Sequence, residues 1–317
     1  MSRPGGAGGS DAERLIPLTS PTGRVRATVD RRGGGLHSLT RDGEPLTETY
    51  DAAGAAPYCA GAVLFPWPNR VRGGTWVHDG ITLRLDVNEP ELGNANHGLV
   101  RDAPVAVRAQ QPDRVTVVAV VEPRPGYPFH VALATTYTAE ESGLRVEHTI
   151  ENRSAGPAPV ALGTHPYLRV GQVPTEDLRL AVLAERHLPV DAALVPVADV
   201  PVDADMDLRD GPVLGRRELN VCYHGLTTQD PGEERYRHVL TAPDGRATEL
   251  WADAAFGYVQ VYVCDHFPGA GGALTRAVAV EPMTAAPDAL NSGRGLRWLA
   301  AGETWDVAWG IRAVGAR

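Results

Sequence analysis

The sequence predicts an all-β protein, built as one large antiparallel β-sandwich. Three observations support this prediction. Apolar and polar residues alternate with the two-residue period of β-strands over many short segments. Turn-forming residues recur roughly every ten residues, which is the spacing of a sandwich or barrel. Helical stretches are scarce, and the 35 glycines and 26 prolines among 317 residues favour short segments joined by turns.

The predicted strands follow one another along nearly the whole chain. In chain order they span residues 24–29, 75–78, 81–85, 115–121, 131–138, 144–150, 160–163, 178–183, 248–252, 258–264, 276–281 and 304–311. Residues 139–143 are predicted to join two of these strands as a hairpin. Residues 287–290 and 204–208 are each predicted to form a single helical turn.

Domain organisation is predicted to be simple, because no internal repeat and no break in composition divides the chain. Residues 1–14, rich in Gly and lacking an apolar run, are predicted to form a flexible tail. Residues 15–317 are predicted to form a single β-sandwich domain. An ordinary domain has roughly 150 residues, but large β architectures often exceed 250 residues as one domain.

Composition excludes several classes of function. All 30 basic residues are arginine, so the chain has no Schiff-base lysine, phosphate-loop lysine or kinase-type lysine. A net charge of -9 gives no reason to bind nucleic acid or an anionic membrane. The three cysteines, Cys59, Cys222 and Cys264, are too far apart for a CxxC metal site and odd in number for a disulfide framework. Without a signal peptide or a membrane-length apolar run, we expect a cytoplasmic protein.

The first candidate site segment spans residues 65–74, FPWPNRVRGG. Two prolines fix the backbone around Trp67 and hold Asn69 and Arg70 on a rigid turn. Amide and guanidinium donors beside an aromatic face suit a polyhydroxylated ligand, whose hydroxyls accept hydrogen bonds while its C–H face stacks on the ring. The alternative is a structural turn, with Trp67 in the core and Arg70 in a surface ion pair.

Two further segments each present a histidine beside Gly or Pro. His97 precedes Gly98 in NANHGLVR, where glycine permits close approach of the backbone; the alternative is an ordinary loop histidine. His165 lies in GTHPYL at the end of an apolar strand, where its side chain can point into a cleft. An unperturbed pKa near neutrality suits it to general acid or base work. The alternative is a structural histidine with satisfied hydrogen bonds.

The fourth segment, RAVAVEPMT, places Glu281 at the end of an apolar strand. A buried carboxyl group needs a partner or a ligand, and burial raises its pKa toward the range of a usable base. The alternative is an ion pair with a neighbouring arginine. A metal site formed by His97, His165 and Glu281 lacks the short fixed spacing that would make it specific, and no metal is expected.

Taken in order, these motifs resemble the aldose 1-epimerase (galactose mutarotase) family. The four motifs are PNR at 68–70, NHG at 96–98, THPY at 164–167 and EPMT at 281–284. The segments 285–293 and 299–305 are similar to those of a bacterial branch of that family, and the resemblance runs from about residue 15 to residue 311. It implies a β-sandwich of the supersandwich type that uses neither a metal nor an organic cofactor.

The resemblance also implies a mechanism. Glu281 would be the base that takes the proton from the anomeric hydroxyl, and His165 the acid that protonates the ring oxygen. The ring opens, the aldehyde rotates about the C1–C2 bond, and the ring closes on its other face. The residues expected to bind the substrate are His97, Arg70, Asn69, Asn220, Trp67 and Tyr167.

One position departs from the family pattern. Members usually carry an Asp that binds sugar hydroxyls, and the counterpart in LNVCY at 219–223 is Asn220. Asn keeps an acceptor oxygen but loses the charge. The departure leaves the substrate open but does not touch the acid–base pair. Asp265 is a less convincing substitute for the missing carboxylate.

The expected partner is a small-molecule sugar, and a homodimer stays open. Three alternative functions also stay open. A hexose-6-phosphate epimerase would need extra arginines at the cleft, for which Arg72, Arg101 and Arg169 are candidates. A mutarotase site recruited to another ring-opening isomerisation is the second. A catalytically silent carbohydrate-binding protein is the third, but it would need neither His165 nor Glu281.

Overall fold

The computed structural model describes residues 14–229 and 232–315. Residues 1–13 of the predicted tail lie outside the described residues. The extent of the predicted domain therefore stays a prediction at both ends.

Almost all the regular structure in the described residues is β-strand. In chain order the strands are β1 (Leu15–Thr19), β2 (Val25–Asp30), β3 (Leu36–Arg41), β4 (Glu44–Pro45), β5 (Val63–Leu64), β6 (Arg70–Val71), β7 (Thr75–His78), β8 (Ile81–Arg84), β9 (Ala95–Asn96), β10 (Ala106–Gln110), β11 (Arg114–Val121), β12 (Val131–Glu140), β13 (Gly143–Asn152), β14 (Ala158–Val160), β15 (Gly163–Thr164), β16 (Tyr167–Leu168), β17 (Arg179–Val182), β18 (Ala184–Leu188), β19 (Val200–Pro201), β20 (Asn220–Leu226), β21 (Arg235–Thr241), β22 (Ala247–Asp253), β23 (Tyr258–Pro268), β24 (Leu274–Met283), β25 (Arg297–Leu299) and β26 (Thr304–Val314). One helical turn, α1 (Ala289–Ser292), and three 3₁₀ turns, Pro57–Cys59, Arg72–Gly74 and Thr175–Asp177, complete the described elements.

Two large antiparallel sheets organise the described part of the chain. The first, sheet A, has the strand order β19-β18-β20-β23-β24-β15-β5, with β16 also paired to β24. The second, sheet B, has the order β10-β11-β12-β13-β26-β22-β21-β17. Side chains from both sheets, such as Val261 and Val280 of sheet A and Val146 and Ile311 of sheet B, belong to one apolar core. The predicted all-β antiparallel sandwich is therefore confirmed.

Alternation along the central strands of sheet A sends successive side chains to opposite faces of the sheet. On β23 and β24, Val259, Val261, Val278 and Val280 point into the core. The intervening residues point to the other face, and the cross-strand register sets Gln260 opposite Glu281 on it. Core packing on one face thereby positions polar side chains on the other.

The predicted strand segments all overlap observed strands, and the hairpin between β12 and β13 closes through the pair Glu140 and Gly143. The helical turn at 287–290 overlaps α1, which begins two residues later. The other predicted helical turn, 204–208, is wrong. There the carboxylate of Asp203 accepts hydrogen bonds from the backbone N–H groups of Asp205 and Met206, which closes a local turn instead. No helix among the described residues is long and apolar enough to cross a membrane.

Candidate active site

A cavity of about 370 Å³ opens on the face of sheet A that carries Gln260 and Glu281. That volume falls within the range of small-molecule sites. The residues that line it come from sheet A, from β6 and β9 and from the adjoining loops: Tyr58, Cys59, Asn69, Arg70, Glu89, Leu92, Asn96, His97, His165, Leu194, Asn220, Gln260, Tyr262 and Glu281. Six of the predicted site residues thus meet in one place: Asn69, Arg70, His97, His165, Asn220 and Glu281.

The most distinctive feature of the cavity is a direct contact between His165 and Glu281. His165 Nε2 and Glu281 Oε1 lie 3.3 Å apart, and both side chains are almost completely buried. Neither His165 Nδ1 nor Glu281 Oε2 has a hydrogen-bond partner among the described residues. Buried polar atoms are normally satisfied, so these two carry hydrogen-bonding capacity that the fold itself does not use. No arginine forms an ion pair with Glu281 in the described part of the chain.

Backbone pairing holds His165 at the base of the cavity. It follows β15, its N–H donates to the carbonyl of Ala62, and its own carbonyl accepts from the N–H of Gly61. The ring of Tyr167 stacks on the imidazole, with 5.3 Å between centroids and 30° between the planes. The imidazole is therefore held in one orientation toward Glu281.

His97 is fixed by a reciprocal clasp with Asn69. The N–H of His97 donates to the carbonyl of Asn69, and the N–H of Asn69 donates to His97 Nδ1 at 3.2 Å. Both residues have positive φ, 64° and 55°, a conformation that non-glycine residues adopt only where the surroundings enforce it. Because Nδ1 accepts, the neutral imidazole carries its hydrogen on Nε2 and can only donate from that atom.

Gly98 makes this arrangement possible. Its φ is +70°, and a Cβ at this position would lie 2.2 Å from the carbonyl oxygen of Phe65. That carbonyl accepts from the N–H of Leu99. A side chain at position 98 would therefore push the His97 loop away from the segment that carries Asn69.

Burial sets the protonation states of the central groups. It raises the pKa of Glu281 to about 8 and lowers the pKa of His165 to about 4. Burial, aided by neighbouring His165, lowers the pKa of His97 well below its usual value. At neutral pH the site thus holds one exchangeable proton, on Glu281, while both imidazoles are neutral.

The same three side chains are the candidates for a metal site. Their ligand atoms all lie within 4.8 Å of one another. A metal-binding imidazole needs a free lone pair, but Nδ1 of His97 is occupied by the N–H of Asn69 and Nε2 carries the hydrogen. This donor set fits a proton-transfer site better than a metal site.

Arg70 lies at the cavity wall in a two-pronged ion pair with Glu89. Its Nε and NH2 groups donate to the two carboxylate oxygens at 2.8 and 2.7 Å. The ion-pair alternative from the sequence is therefore correct for Arg70, although the residue also lines the cavity. A fixed guanidinium of this kind presents its remaining donors in a defined direction.

Trp67 and Tyr167 correct the predicted set of substrate-binding residues. Trp67 is 2% exposed, belongs to the apolar core and packs against Tyr127, so its ring cannot stack on a ligand in the cavity. Tyr167 is 1% exposed and lies behind His165, where its hydroxyl donates to the carbonyl of Tyr58. Trp67 therefore supports the site from the core, and Tyr167 supports it through the ring that stacks on His165.

Gln260 is the main site residue that sequence reasoning missed. It is a buried amide in the apolar first half of β23, and that mismatch was a usable signal. Glu89, the partner of Arg70, lies in a loop without a motif. Asp265, the weaker counterpart of the family Asp, pairs with Arg276 and does not line the cavity.

A buried His–Glu pair with unused hydrogen-bonding capacity, at the base of a polar cavity on a β-sandwich, is the arrangement of an acid–base enzyme. Comparison with known proteins gives its family. The family model described as aldose 1-epimerase matches residues 14–312. The chain therefore belongs to the aldose 1-epimerase family and is an epimerase.

Sequence relatives agree with this assignment. The chain is 29% identical over 282 residues to the uncharacterized protein YihR of Escherichia coli strain K12, covering 89% of this chain and 88% of that protein. It is 29% identical over 208 residues to human galactose mutarotase, covering 60% of this chain and 58% of the human protein.

Solved structures share the fold. A putative aldose 1-epimerase from Escherichia coli K12 superposes with a TM-score of 0.80 at 20% identity, over 95% of this chain and 99% of that chain. A GalM/aldose epimerase homologue from C. elegans superposes with a TM-score of 0.83 at 19% identity, over 96% and 99%. The bacterial relatives are in keeping with the branch that the C-terminal motifs resemble.

Proposed function

We propose that the protein is an aldose 1-epimerase that interconverts the α and β anomers of a free aldose through Glu281 and His165. The contact of 3.3 Å between these two buried groups, each with an unused atom, carries the proposal. A mutarotase needs one group that accepts a proton while another donates one, and both must exchange roles on ring closure.

Ring opening requires the proton of the pair to start on His165. Transfer from Glu281 across the 3.3 Å contact gives a carboxylate and an imidazolium without changing the total charge. Glu281 then takes the proton of the anomeric hydroxyl, the bond between C1 and the ring oxygen breaks, and His165 protonates the ring oxygen. The products are an open-chain aldehyde, a neutral imidazole and a protonated Glu281.

Ring closure starts from the protonation state that burial favours, with the proton on Glu281. After rotation about C1–C2, neutral His165 takes the hydroxyl proton, the oxygen attacks C1, and Glu281 protonates the new anomeric oxygen. Since opening and closure differ only in the position of one proton, a pair with opposed pKa shifts can serve both directions.

Charges around the cavity favour an uncharged sugar. Glu281 is protonated at neutral pH, and the arginine in the described lining, Arg70, is neutralised by Glu89. The hydrogen on His97 Nε2, the guanidinium of Arg70 and the amide of Asn69 are the donors we assign to sugar oxygens. Asn220 is assigned to a substituent at the cavity rim.

A sugar phosphate is less well supported. Arg72, Arg101 and Arg169 do not line the cavity; they pair with Asp191, Asp102 and Glu48, respectively. A silent carbohydrate-binding protein would have no use for a buried acid–base pair. A cytoplasmic location, a small-molecule sugar as partner and the absence of a metal or organic cofactor stay predictions.

The test is anomer interconversion, followed by polarimetry on a panel of freshly dissolved aldoses. Wild-type protein should accelerate at least one of them over buffer, and Glu281→Gln should lower that rate by about 10² to 10⁴-fold. Glu48→Gln is the matched control, because Glu48 is also buried with a pKa raised by burial but pairs with Arg169 outside the cavity. Absence of acceleration for every sugar, or full activity of Glu281→Gln, would refute the proposal.

A further inference from the structure

Three amide side chains form a row along the wall of the cavity. Asn69 Nδ2 donates to Gln260 Oε1 at 3.4 Å, and Gln260 Nε2 donates to Asn220 Oδ1 at 2.7 Å. Asn69 and Gln260 are buried, whereas Asn220 is exposed at the rim. The row therefore leads from the interior of the protein to the rim of the cavity.

The direction of this row is fixed at its buried end. The backbone N–H of Arg70 donates to Asn69 Oδ1 at 2.9 Å, and an N–H group cannot accept. Asn69 must then turn its NH₂ group toward Gln260. Gln260 accepts with its oxygen and must turn its own NH₂ group toward Asn220.

The consequence appears at the rim. Asn220 uses its oxygen to accept from Gln260, so its NH₂ group is the end that remains for a ligand. No described residue accepts a hydrogen bond from Asn220 Nδ2. Reversing Asn220 would set two NH₂ groups against each other and leave buried Gln260 without an acceptor. Position 220 thus presents a hydrogen-bond donor, where the Asp usual in the resembling family can only accept.

We propose that Asn220 recognises its substrate substituent as a hydrogen-bond donor, so the enzyme prefers aldoses whose substituent at this position is an acceptor. The hydroxyl hydrogen that an Asp would bind is not needed here. A carbonyl, ether or carboxylate oxygen, which has no hydrogen to give, satisfies the NH₂ group equally well. This inference rests on the proposed epimerase function and specifies its substrate class.

Charge narrows the class further. The arginine in the described lining is tied to Glu89, so the cavity offers no unpaired guanidinium to an anionic group. An uncharged acceptor, as in an acylated amino sugar or a sugar ether, is therefore favoured over a carboxylate. The common requirement is an oxygen acceptor at the position facing Asn220.

Monodeoxyfluoro aldoses test this inference, because fluorine replaces a hydroxyl with little change in size and removes its hydrogen. For each hydroxyl position other than the anomeric one, the ratio of kcat/KM for the parent sugar to kcat/KM for its fluoro analogue is measured with wild type and with Asn220→Asp. Intrinsic effects of fluorine on ring opening are common to both proteins. At the position facing residue 220 the ratio should rise at least about tenfold in Asn220→Asp, since an unmatched hydrogen-bonding group strongly penalises the analogue. The remaining positions serve as internal controls.

A second variant tests the row without altering position 220. In Gln260→Glu, assayed at a pH where the new carboxyl group is ionised, the side chain at position 260 has no donor, so Asn220 turns its own NH₂ group inward and presents its oxygen. The fluoro ratio should rise at the same sugar position as in Asn220→Asp. Both substitutions keep the size of the side chain, and thermal unfolding is the control for whether each variant is folded.

The outcomes separate the two proposals. If wild type accelerates no aldose, the proposed function is wrong and this inference falls with it. If wild type is active but neither variant changes the fluoro ratio at any position, the epimerase stands and the role of Asn220 is wrong. If the fluoro ratio rises as expected, the kcat/KM values for N-acetylhexosamines and hexuronates distinguish an uncharged acceptor, which we expect to be favoured, from a charged one.

Discussion

His148 and His165 are both buried imidazoles whose pKa burial lowers, to about 3 and about 4, yet they use their nitrogens in opposite ways. His148, on sheet B, has Nδ1 3.0 Å from the hydroxyl of Thr135 and accepts at Nε2 from the indole N–H of Trp309 at 2.9 Å. His165, beside sheet A, leaves Nδ1 unpartnered and sets Nε2 against a titratable carboxyl group.

The difference shows why His165, and not His148, is the histidine that we propose for catalysis. Burial and a lowered pKa are common to both residues, so neither identifies a site. The distinguishing features are a hydrogen-bonding atom that the fold does not use, a titratable partner and a cavity that both groups line. His148 stabilises sheet B, whereas His165 has capacity available for a substrate.

The largest expected effect is the loss of His165. His165→Gln removes the group that protonates the ring oxygen, so the rate of anomer interconversion should fall by about 10² to 10⁴-fold. Polarimetry measures the rate, and thermal unfolding should show a protein close to wild type in stability. A variant that is folded and fully active would remove His165 from the mechanism.

The second prediction concerns stability rather than rate. His148→Leu leaves the buried N–H of Trp309 without an acceptor, which should cost about 1–3 kcal/mol of the free energy of unfolding. Urea unfolding measures this loss. The rate of anomer interconversion, measured well below the unfolding transition, should stay within a factor of about three of the wild-type rate. His148→Gln, whose amide oxygen can still accept from the indole, should lose less. A collapse of activity in either folded variant would break the contrast between the two histidines.

The smallest expected effect separates support from substrate contact. Tyr167→Phe removes a 3.3 Å hydrogen bond to the carbonyl of Tyr58 but keeps the ring stacked on His165. We expect kcat and KM to change by no more than about threefold, because one net hydrogen bond contributes only about 1 kcal/mol. A large rise in KM alone would return Tyr167 to the substrate-binding set.

Sequence patterns predicted the strands and the acid–base pair but not the surroundings of the pair. Period-two alternation is local, so β23 and β24 could be recognised without their partners. Whether Trp67 faces the core or a ligand depends on which side of the chain is covered by distant strands. The same holds for Gln260, whose role appears only once the register places it opposite Glu281.

Two features of the site are nonlocal in a stricter sense. Glu89 pairs with Arg70 through a loop that has no motif, and nothing in its local sequence indicates the contact. The orientation of Asn220 depends on a chain of hydrogen bonds that begins at a backbone N–H of another segment. Substituting Asn for the family Asp was visible in the sequence, but the reversal from acceptor to donor needed the whole row.

The most direct test of the acid–base pair is the dependence of kcat/KM on pH for the wild-type enzyme. Above about pH 8 the pair loses its single exchangeable proton, so no acid remains. Below about pH 4 the pair gains a second exchangeable proton, on His165, so no base remains. We therefore expect a bell-shaped profile with limbs near 4 and 8, which belong to the pair rather than to either residue. A rate that is unchanged across both limbs, or that keeps rising above pH 8, would contradict catalysis by Glu281 and His165.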